Sequence, residues 1–159
     1  MAKSIFNKSD SIWRFMRSMN QRMIQNYHRG IGPTRMVLLL TTTGRKSGLP
    51  RVTPLQFEEI DRAYYVGSAR GPKSDWFRNI EAEPKVEVEI KGKHYQGLAE
   101  AITDPASIAD FFEIRLKRHP TMIGLLMRLE GLPLKFDRED LERFAARKAL
   151  AIIRPQQPD

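Results

Sequence analysis

The sequence predicts an α+β fold in which a six-stranded, mostly antiparallel β-barrel carries helices at its edges. Short apolar runs separated by tight turn signals begin near residue 36 and indicate antiparallel strands. One of them, KVEVEIK at 85–91, alternates strictly between apolar and polar residues, which is typical of a half-buried strand on a barrel wall. Capped amphipathic stretches after residue 103 predict helices. Without any internal repeat, this order of elements favours one barrel domain with flanking helices.

The first 33 residues predict a separate segment, an amphipathic helix followed by a Gly/Pro linker. Within residues 9–28, apolar side chains recur at helical spacing, namely Ile12, Phe15, Met16, Met19, Met23 and Tyr27. Arg14, Arg17 and Arg22 lie on the polar side, so this helix could bind an anionic membrane surface, although packing on the protein's own sheet is commoner. We therefore expect an N-terminal helix and linker over 1–33 and a barrel domain with C-terminal helices over 34–159.

The six strands are predicted from apolar runs and the turn signals that bound them. They cover residues 36–42, 52–60, 63–69, 85–91, 94–102 and 149–153. Turns at 60–62 and 91–93 join neighbours as hairpins. Helices are predicted at 74–81, 106–117, 122–129 and 138–147. Ser74 or Asp75 is expected to cap the first of them, and Thr103 or Asp104 the second.

Composition limits the kinds of ligand and site that are expected in this protein. Twenty-seven Lys and Arg against nineteen Asp and Glu give a net charge of +8, which favours phosphates, polycarboxylates, nucleic acid or anionic lipid. The chain has no cysteine and only three scattered histidines, so disulfides, thiol nucleophiles and a metal site are not expected. No apolar run is long enough to cross a membrane, and no secretory signal is recognisable. We expect a cytoplasmic protein, with peripheral contact at the inner face of the membrane as the alternative.

The stretch LLLTTTGRKSGLPRVTPLQF at 38–57 is the first candidate ligand site, because a buried strand runs into a loop suited to an anion. Hydroxyls, glycines and cations occur together there, at Thr41, Thr42, Thr43, Gly44, Arg45, Lys46, Ser47, Gly48 and Arg51. Glycines let backbone N–H groups approach a ligand closely, and the cations supply fixed positive charge. The alternative is an ordinary basic hairpin turn, since the loop fits neither common phosphate-binding fingerprint.

A second candidate loop is GSARGPKSDWFRNI at 67–80. Ala69 and Gly71 would let a flat ring approach the backbone, while Arg70 and Lys73 could hold negative groups. Trp76 could close a pocket at the start of the helix, although Trp76 and Phe77 could equally anchor that helix to the barrel.

Three ordered motifs, TTTGRKSGLPRVTPL, GSARGPKSDWFRNI and EAEPKVEVEI, resemble the deazaflavin-dependent nitroreductase and F420H2-dependent quinone reductase family over about residues 36–103. The resemblance implies the split β-barrel shared with FMN-binding pyridoxamine-phosphate-oxidase-like proteins. It also implies hydride transfer from reduced coenzyme F420 to a small electron-poor acceptor such as a quinone, a nitro compound or a conjugated carbonyl. A strongly basic mouth suits this cofactor, which carries a phosphodiester and a polyglutamate tail.

The resemblance also implies roles for individual residues. The phosphate end of the cofactor would bind at Thr43, Gly44, Arg45, Lys46 and Ser47, and its path would be lined by Arg51, Val52, Thr53 and Pro54. Ser68, Ala69 and Lys73 would sit near the ring, and Trp76 would cover it. Because the cofactor supplies the hydride, the protein needs no nucleophile, and the Ser68 hydroxyl is the candidate for stabilising charge near the ring. Tyr64, Tyr65 and His119 are candidate proton donors.

The chain departs from the nitroimidazole-reducing pattern of that family, which places tyrosines in the helix after the barrel and one after the Pro-Leu of the second strand. Here Gln56 follows Pro54 and Leu55, and the helix region offers His119, Met122 and Leu125. This less aromatic surface argues against nitroimidazole reduction and leaves a quinone or another conjugated electrophile as the expected acceptor.

Two alternatives belong to other classes. The same barrel could serve an FMN-dependent reductase or a non-catalytic protein that binds flavin, deazaflavin or haem. A basic barrel could also bind nucleic acid by stacking on Trp76, Phe77 or Tyr95, but its cations are spread along the chain and its aromatics form no interleaved stripe. Nucleic acid is therefore not an expected partner. The sequence is compatible with a monomer or a homodimer.

Overall fold

The computed structural model describes residues 19–32, 36–68 and 70–156. Six strands close into a barrel in which neighbours follow the order β1-β2-β3-β6-β5-β4. The strands are β1 Val37–Thr43, β2 Pro50–Ile60, β3 Ala63–Ser68, β4 Lys85–Ile90, β5 Lys93–Ile102 and β6 Ala149–Pro155. All six pairs of neighbours are antiparallel. The predicted fold class is confirmed.

Helices cover one end and one side of this barrel. Residues 19–28 form α1, and the later helices are α2 Asp75–Ala82, α3 Pro105–Arg118, α4 Pro120–Leu129 and α5 Arg138–Ala145, with a 3-10 turn at Gly71–Lys73. Pro120 does more than end the preceding helix, because it occupies the first turn of α4, where a missing N–H costs nothing. The second strand also starts earlier than predicted, since Pro50 pairs with Thr43 at the loop end.

Local signals account for most element ends. The side chain of Asp104 accepts a hydrogen bond from the Ser107 backbone N–H at 2.9 Å and caps α3, as predicted. Ser74 occupies the N-cap position of α2, as predicted, but its hydroxyl contacts Ser68 and Gly71 and makes no capping hydrogen bond. Both hairpin turns have positive φ at their central residues, which is the twist that favours tight two-residue connections.

Two apolar clusters lie on opposite sides of the barrel wall. The interior cluster includes Leu38, Leu40, Val66 and Phe77, so α2 closes the barrel with a fully buried ring. The second cluster lies between the outside of the barrel and helices α3–α5. Strand β6 supplies both clusters, because Ala149, Ala151 and Ile153 face inward while Leu150 and Ile152 face the helices. Burial on both faces explains why this strand is a continuous apolar run without alternation.

The ladder between β2 and β3 is short, and this creates an opening in the barrel wall. Only four residue pairs join the two strands, from Phe57 with Val66 to Ile60 with Ala63. Beyond Phe57, residues 50–56 of β2 pair with β1 alone, while Gly67 and Ser68 continue along β6. The two strands therefore separate toward the loop that joins β1 to β2.

The described part of the N-terminal helix packs on the barrel edge. The Tyr27 hydroxyl accepts a hydrogen bond from the Lys91 backbone N–H at 2.9 Å and donates to the Glu89 carbonyl oxygen at 3.3 Å. Met19 and Met23 remain more than two-fifths exposed. The apolar stripe predicted over 9–28 lies partly outside the described residues, and the alternative of membrane contact stays a prediction. None of the described helices has the length and apolar character needed to cross a bilayer.

The second cluster should contribute strongly to stability. Leu141 in α5 is 1% exposed, whereas Leu129 at the end of α4 is 76% exposed. We expect Leu141→Ala to lower the free energy of unfolding by about 2–5 kcal/mol, because it removes buried surface and leaves a cavity. The matched Leu129→Ala should change it by less than about 0.5 kcal/mol. Urea denaturation measures both, and equal effects would contradict the packing described here.

Candidate functional site

A cavity of about 940 Å³ occupies the opening between β2 and β3. It is lined by the loop after β1, residues 50–56 of β2, the segment between Gly67 and Asn79, and residues of α1, α3, α4 and α5. Most of the predicted cofactor residues line it, namely Gly44, Arg45, Lys46, Ser47, Arg51, Val52, Thr53, Pro54, Ser68, Arg70 and Trp76. The structure thus brings both candidate loops, which are more than twenty residues apart in sequence, to one cavity.

Five predicted residues are placed elsewhere or not described. Thr42 is buried, and its hydroxyl accepts a hydrogen bond from the Asn79 amide at 3.1 Å. Thr43, Gly48 and Lys73 are exposed but do not line the cavity. Ala69 lies outside the described residues.

The two glycines of the first loop are required by the turn itself. The Gly48 N–H donates to the Gly44 carbonyl oxygen at 2.7 Å, and the Gly44 N–H donates to the Leu49 carbonyl oxygen at 2.8 Å. A Cβ at Gly44 would lie 2.6 Å from the Ser47 hydroxyl oxygen and 3.1 Å from the Leu49 carbonyl oxygen. Gly48 has a φ of +70°, which disfavours other residues. A tight hairpin therefore forms the rim of the cavity.

Arg45 fixes this loop to α2. Its backbone N–H and its Nη1 both donate to the Asn79 Oδ1, at 3.2 and 2.9 Å, and its Nη2 pairs with the Asp75 carboxylate at 3.0 Å. Lys46 and Arg51, by contrast, are exposed and make no hydrogen bond or ion pair within the described part of the chain. The cations left to hold an anionic ligand at this rim are therefore Lys46 and Arg51 rather than Arg45.

Ser68 lies at the end of β3, where its hydroxyl is committed to a local network. Its Oγ lies 2.9 Å from the Gly71 carbonyl oxygen and 2.7 Å from the Ser74 Oγ, which itself lies 3.1 Å from the same carbonyl. Two hydroxyl protons serve these three contacts, so Ser68 can donate to a ligand only by giving up one of them. Gly71 completes the turn, because a Cβ there would lie 2.4 Å from the Arg147 carbonyl oxygen.

Trp76 combines the two roles considered for it. Its side chain is 7% exposed and belongs to the interior cluster of the barrel, with its ring centroid 5.8 Å from that of Phe77. It also lines the cavity. The indole therefore anchors α2 and forms part of the cavity wall.

Helices α3, α4 and α5 supply a part of the cavity wall that was not predicted from the sequence. This wall is mostly apolar and includes Phe112, Ile123, Leu126, Met127 and Phe144, with Arg115 among them. The Arg115 side chain is 15% exposed, and its Nη2 donates to the Gln56 Oε1 at 3.1 Å. Burial lowers the pKa of the Arg115 guanidinium, and the nearby Glu58 carboxylate partly offsets this effect. One signal was available, since Arg115 follows Phe111 and Phe112 at helical spacing on the inward face of α3.

The three predicted catalytic residues are not brought together. Ser68 lines the cavity, but the Tyr65 ring stacks on Phe111 at 5.7 Å in the outer cluster. His119 faces a second cavity of about 550 Å³, where its Nε2 lies 3.1 Å from the buried Glu58 carboxylate. Tyr64 also borders this second cavity, and burial chiefly raises its pKa. The roles proposed for Tyr65 and His119 remain predictions.

Asn79 should hold the first loop in place, because its buried amide connects the loop and β1 to α2. Asn79→Ala would leave the Thr42 hydroxyl and the Arg45 donors without their partner, so we expect a loss of about 1–3 kcal/mol in the free energy of unfolding. Amide hydrogen exchange at residues 44–48 should also become faster. Arg78→Ala, on the exposed face of the same helix, is the control. Unchanged exchange in the Asn79 variant would contradict the proposed role of this amide.

Comparisons with known proteins identify the family of this chain. A family model described as F420H(2)-dependent quinone reductase matches residues 14–127. An F420H(2)-dependent quinone reductase of Mycobacterium tuberculosis is 38% identical over 61 residues, which span 36% of this chain and 41% of that protein. The match therefore covers about two-fifths of this relative's length.

Solved structures show how widely the fold is shared. An F420 reductase aligns with a TM-score of 0.50 at 21% identity, over 77% of this chain and 88% of that chain. A haem storage protein from Vibrio cholerae aligns with a TM-score of 0.53 at 17% identity, over 87% and 92% of the two chains. At these identities the likeness shows a common fold alone. The family model, however, covers well over half of the residues, and the chain belongs to the F420H(2)-dependent quinone reductase family.

Proposed function

We propose that the protein is an oxidoreductase that transfers hydride from reduced coenzyme F420 to a small electron-poor acceptor. The observation that carries this proposal is the cavity in the β2–β3 opening, which joins a cationic loop to an apolar wall. Membership of the family supports the choice of cofactor.

The residues along β2 fit an elongated anionic cofactor. Lys46 and Arg51 lie where β2 begins and have no ion-pair partner among the described residues, which suits the phosphodiester and polyglutamate tail of F420. Gln56 lies five residues further along the same strand, about 17 Å away at about 3.3 Å per residue. The cavity is therefore long enough to hold a tail near the loop and a ring system toward the helices.

The chain's own contribution is to position and shield the reactants. When bound, the cofactor supplies the hydride, so the protein needs neither a nucleophile nor a metal for this step. The apolar wall, including Phe112, Ile123 and Met127, would shield a bound acceptor from water on that side. A flat, weakly polar acceptor fits this wall best, which favours a quinone over a nitro compound or another conjugated carbonyl.

An FMN-dependent reductase or a non-catalytic carrier would use the same barrel, and two measurements separate these alternatives. Purified protein is titrated with F420 and with FMN, and quenching of cofactor fluorescence is followed. We expect binding of F420 at micromolar concentration or below and little binding of FMN. Oxidation of reduced F420 is then followed after addition of 2-methyl-1,4-naphthoquinone. Preference for FMN, or F420 binding without any oxidation, would contradict the proposed reaction.

Lys46 provides a local test of the tail site. Lys46→Glu should weaken F420 binding by at least about tenfold, about 1.4 kcal/mol, because it removes an attractive charge at the rim and adds repulsion. Lys117→Glu makes the same change in net charge on the exposed face of α3, away from the cavity, and should leave the affinity nearly unchanged. Fluorescence titration at fixed ionic strength measures both variants. Equal losses would mean that general attraction, rather than a contact at this loop, governs binding.

A further inference from the structure

We propose that Arg115 recognises the carbonyl oxygen of the acceptor and stabilises the negative charge that hydride transfer places on that oxygen. This inference rests on the proposed function and narrows it to acceptors, such as quinones, whose reduction produces an oxygen anion. Arg115 would then be a catalytic residue that sequence analysis did not find.

Arg115 has several hydrogen-bond donors that meet no acceptor among the described residues. A guanidinium has five N–H donors. In the described part of the chain only one of them has a well-aligned partner, the bond from Nη2 to the Gln56 side chain at 3.1 Å. The Nε atom is buried and makes no hydrogen bond, because the nearest Glu58 oxygen lies 3.5 Å away without the required alignment. A largely buried guanidinium needs acceptors for its remaining donors, which water supplies in the empty cavity and a ligand would supply when bound.

The position of Arg115 favours the acceptor over the cofactor tail. Gln56, which holds the guanidinium, lies at the end of the lining segment of β2 that is remote from Lys46 and Arg51. The neighbouring wall is apolar, and charge interactions are stronger in such surroundings than in water. A negative oxygen that develops beside this cation is therefore stabilised more than a neutral carbonyl is, which lowers the barrier to its formation.

Glu58 explains why a cation persists at this apolar wall. Its carboxylate is 7% exposed and lies near Arg115, Arg118 and His119 at 3.5, 3.1 and 3.1 Å. Arg118 also donates to the Glu59 carbonyl oxygen at 3.0 Å, on the side of the second cavity. Glu58 is thus a positioning residue, because it offers a carboxylate beside the Arg115 guanidinium, which lines the first cavity.

The reaction balances without another oxidant or metal. Hydride adds one proton and two electrons to a quinone, which becomes a hydroquinone monoanion with its charge on oxygen, while F420H2 is oxidised to F420 and releases its second proton. A proton from water then completes the hydroquinone. Arg115 retains its own protons throughout and acts only by hydrogen bonding and charge.

Binding of an anionic probe tests this role apart from turnover. 2-Hydroxy-1,4-naphthoquinone is ionised at neutral pH and resembles the charged product, whereas 2-methyl-1,4-naphthoquinone is neutral. Both are titrated by calorimetry into protein loaded with oxidised F420 and into protein without cofactor. We expect Arg115→Met to weaken binding of the anionic probe by at least about tenfold and of the neutral probe by less than about threefold. Arg115→Lys should retain part of the preference.

Arg118→Met is the matched control, because it removes the same charge from the same helix and the same Glu58 partner but does not line the first cavity. It should keep the preference for the anionic probe. Equal loss in both variants, or no loss in Arg115→Met, would overturn the proposal. Thermal unfolding shows whether Arg115→Met folds. If it does not, two other variants provide the same comparison. They are Arg115→Lys and the double variant Arg115→Met with Glu58→Gln, which removes both charges.

Measurements of F420 binding test the role of Arg115 separately from the proposed function. Arg115→Met should bind F420 as tightly as the parent protein, and a tenfold loss would mean that Arg115 holds the cofactor instead. If the parent protein binds no F420, the proposed function fails, and the titrations without cofactor still show whether Arg115 selects an oxygen anion. In turnover, Arg115→Met should lower kcat by at least about tenfold, because the charge develops only as hydride arrives.

Discussion

The short ladder between β2 and β3 is the constraint on which the rest of the structure depends. Four residue pairs are enough to keep the barrel closed at one end, while the remainder of β2 is held by β1 alone. The side chains and backbone of residues 50–56 can therefore face a cavity rather than a neighbouring strand. Helix α2 compensates for the lost closure, because Phe77 and Ile80 fill the barrel interior from that end. An enclosed core and an open site thus coexist in one small domain.

The large positive charge of the chain is distributed unevenly. Arg138 contacts three carboxylates, of Asp110, Glu113 and Glu142, and Arg45 is held by Asp75 and Asn79. Such exposed pairs add little to stability, but they reduce the charge that is available to a ligand. Lys46 and Arg51 have no such partners among the residues that the structure describes. Local pairing therefore decides which cations at the cavity rim can hold a ligand, and net charge alone does not show this.

Sequence reasoning was most successful where the signal is local. The alternation at 85–91 and the hairpin turns depend on neighbouring residues, so the barrel strands could be predicted. The roles of Arg115 and Glu58 could not, because their contact joins α3 to β2 across more than fifty residues. Ser74 shows an intermediate case: it is a suitable cap residue, but its hydroxyl bonds to Ser68 once β3 and the 3-10 turn are in place. Local propensity determines where the helix begins, and tertiary contacts determine which hydrogen bonds the side chain makes.

The position of β6 between β3 and β5 has a consequence for how the molecule assembles. Residues 149–155 complete a sheet whose other five strands end at residue 102, so barrel closure depends on contacts between distant parts of the chain. Such closure is intrinsically slow compared with helix formation. Until it occurs, β3 and β5 expose unpaired edges that can associate with other chains. Until β6 joins the sheet, Ser68 also lacks its Ala149 neighbour, so the end of β3 that lines the cavity is completed only by this last strand.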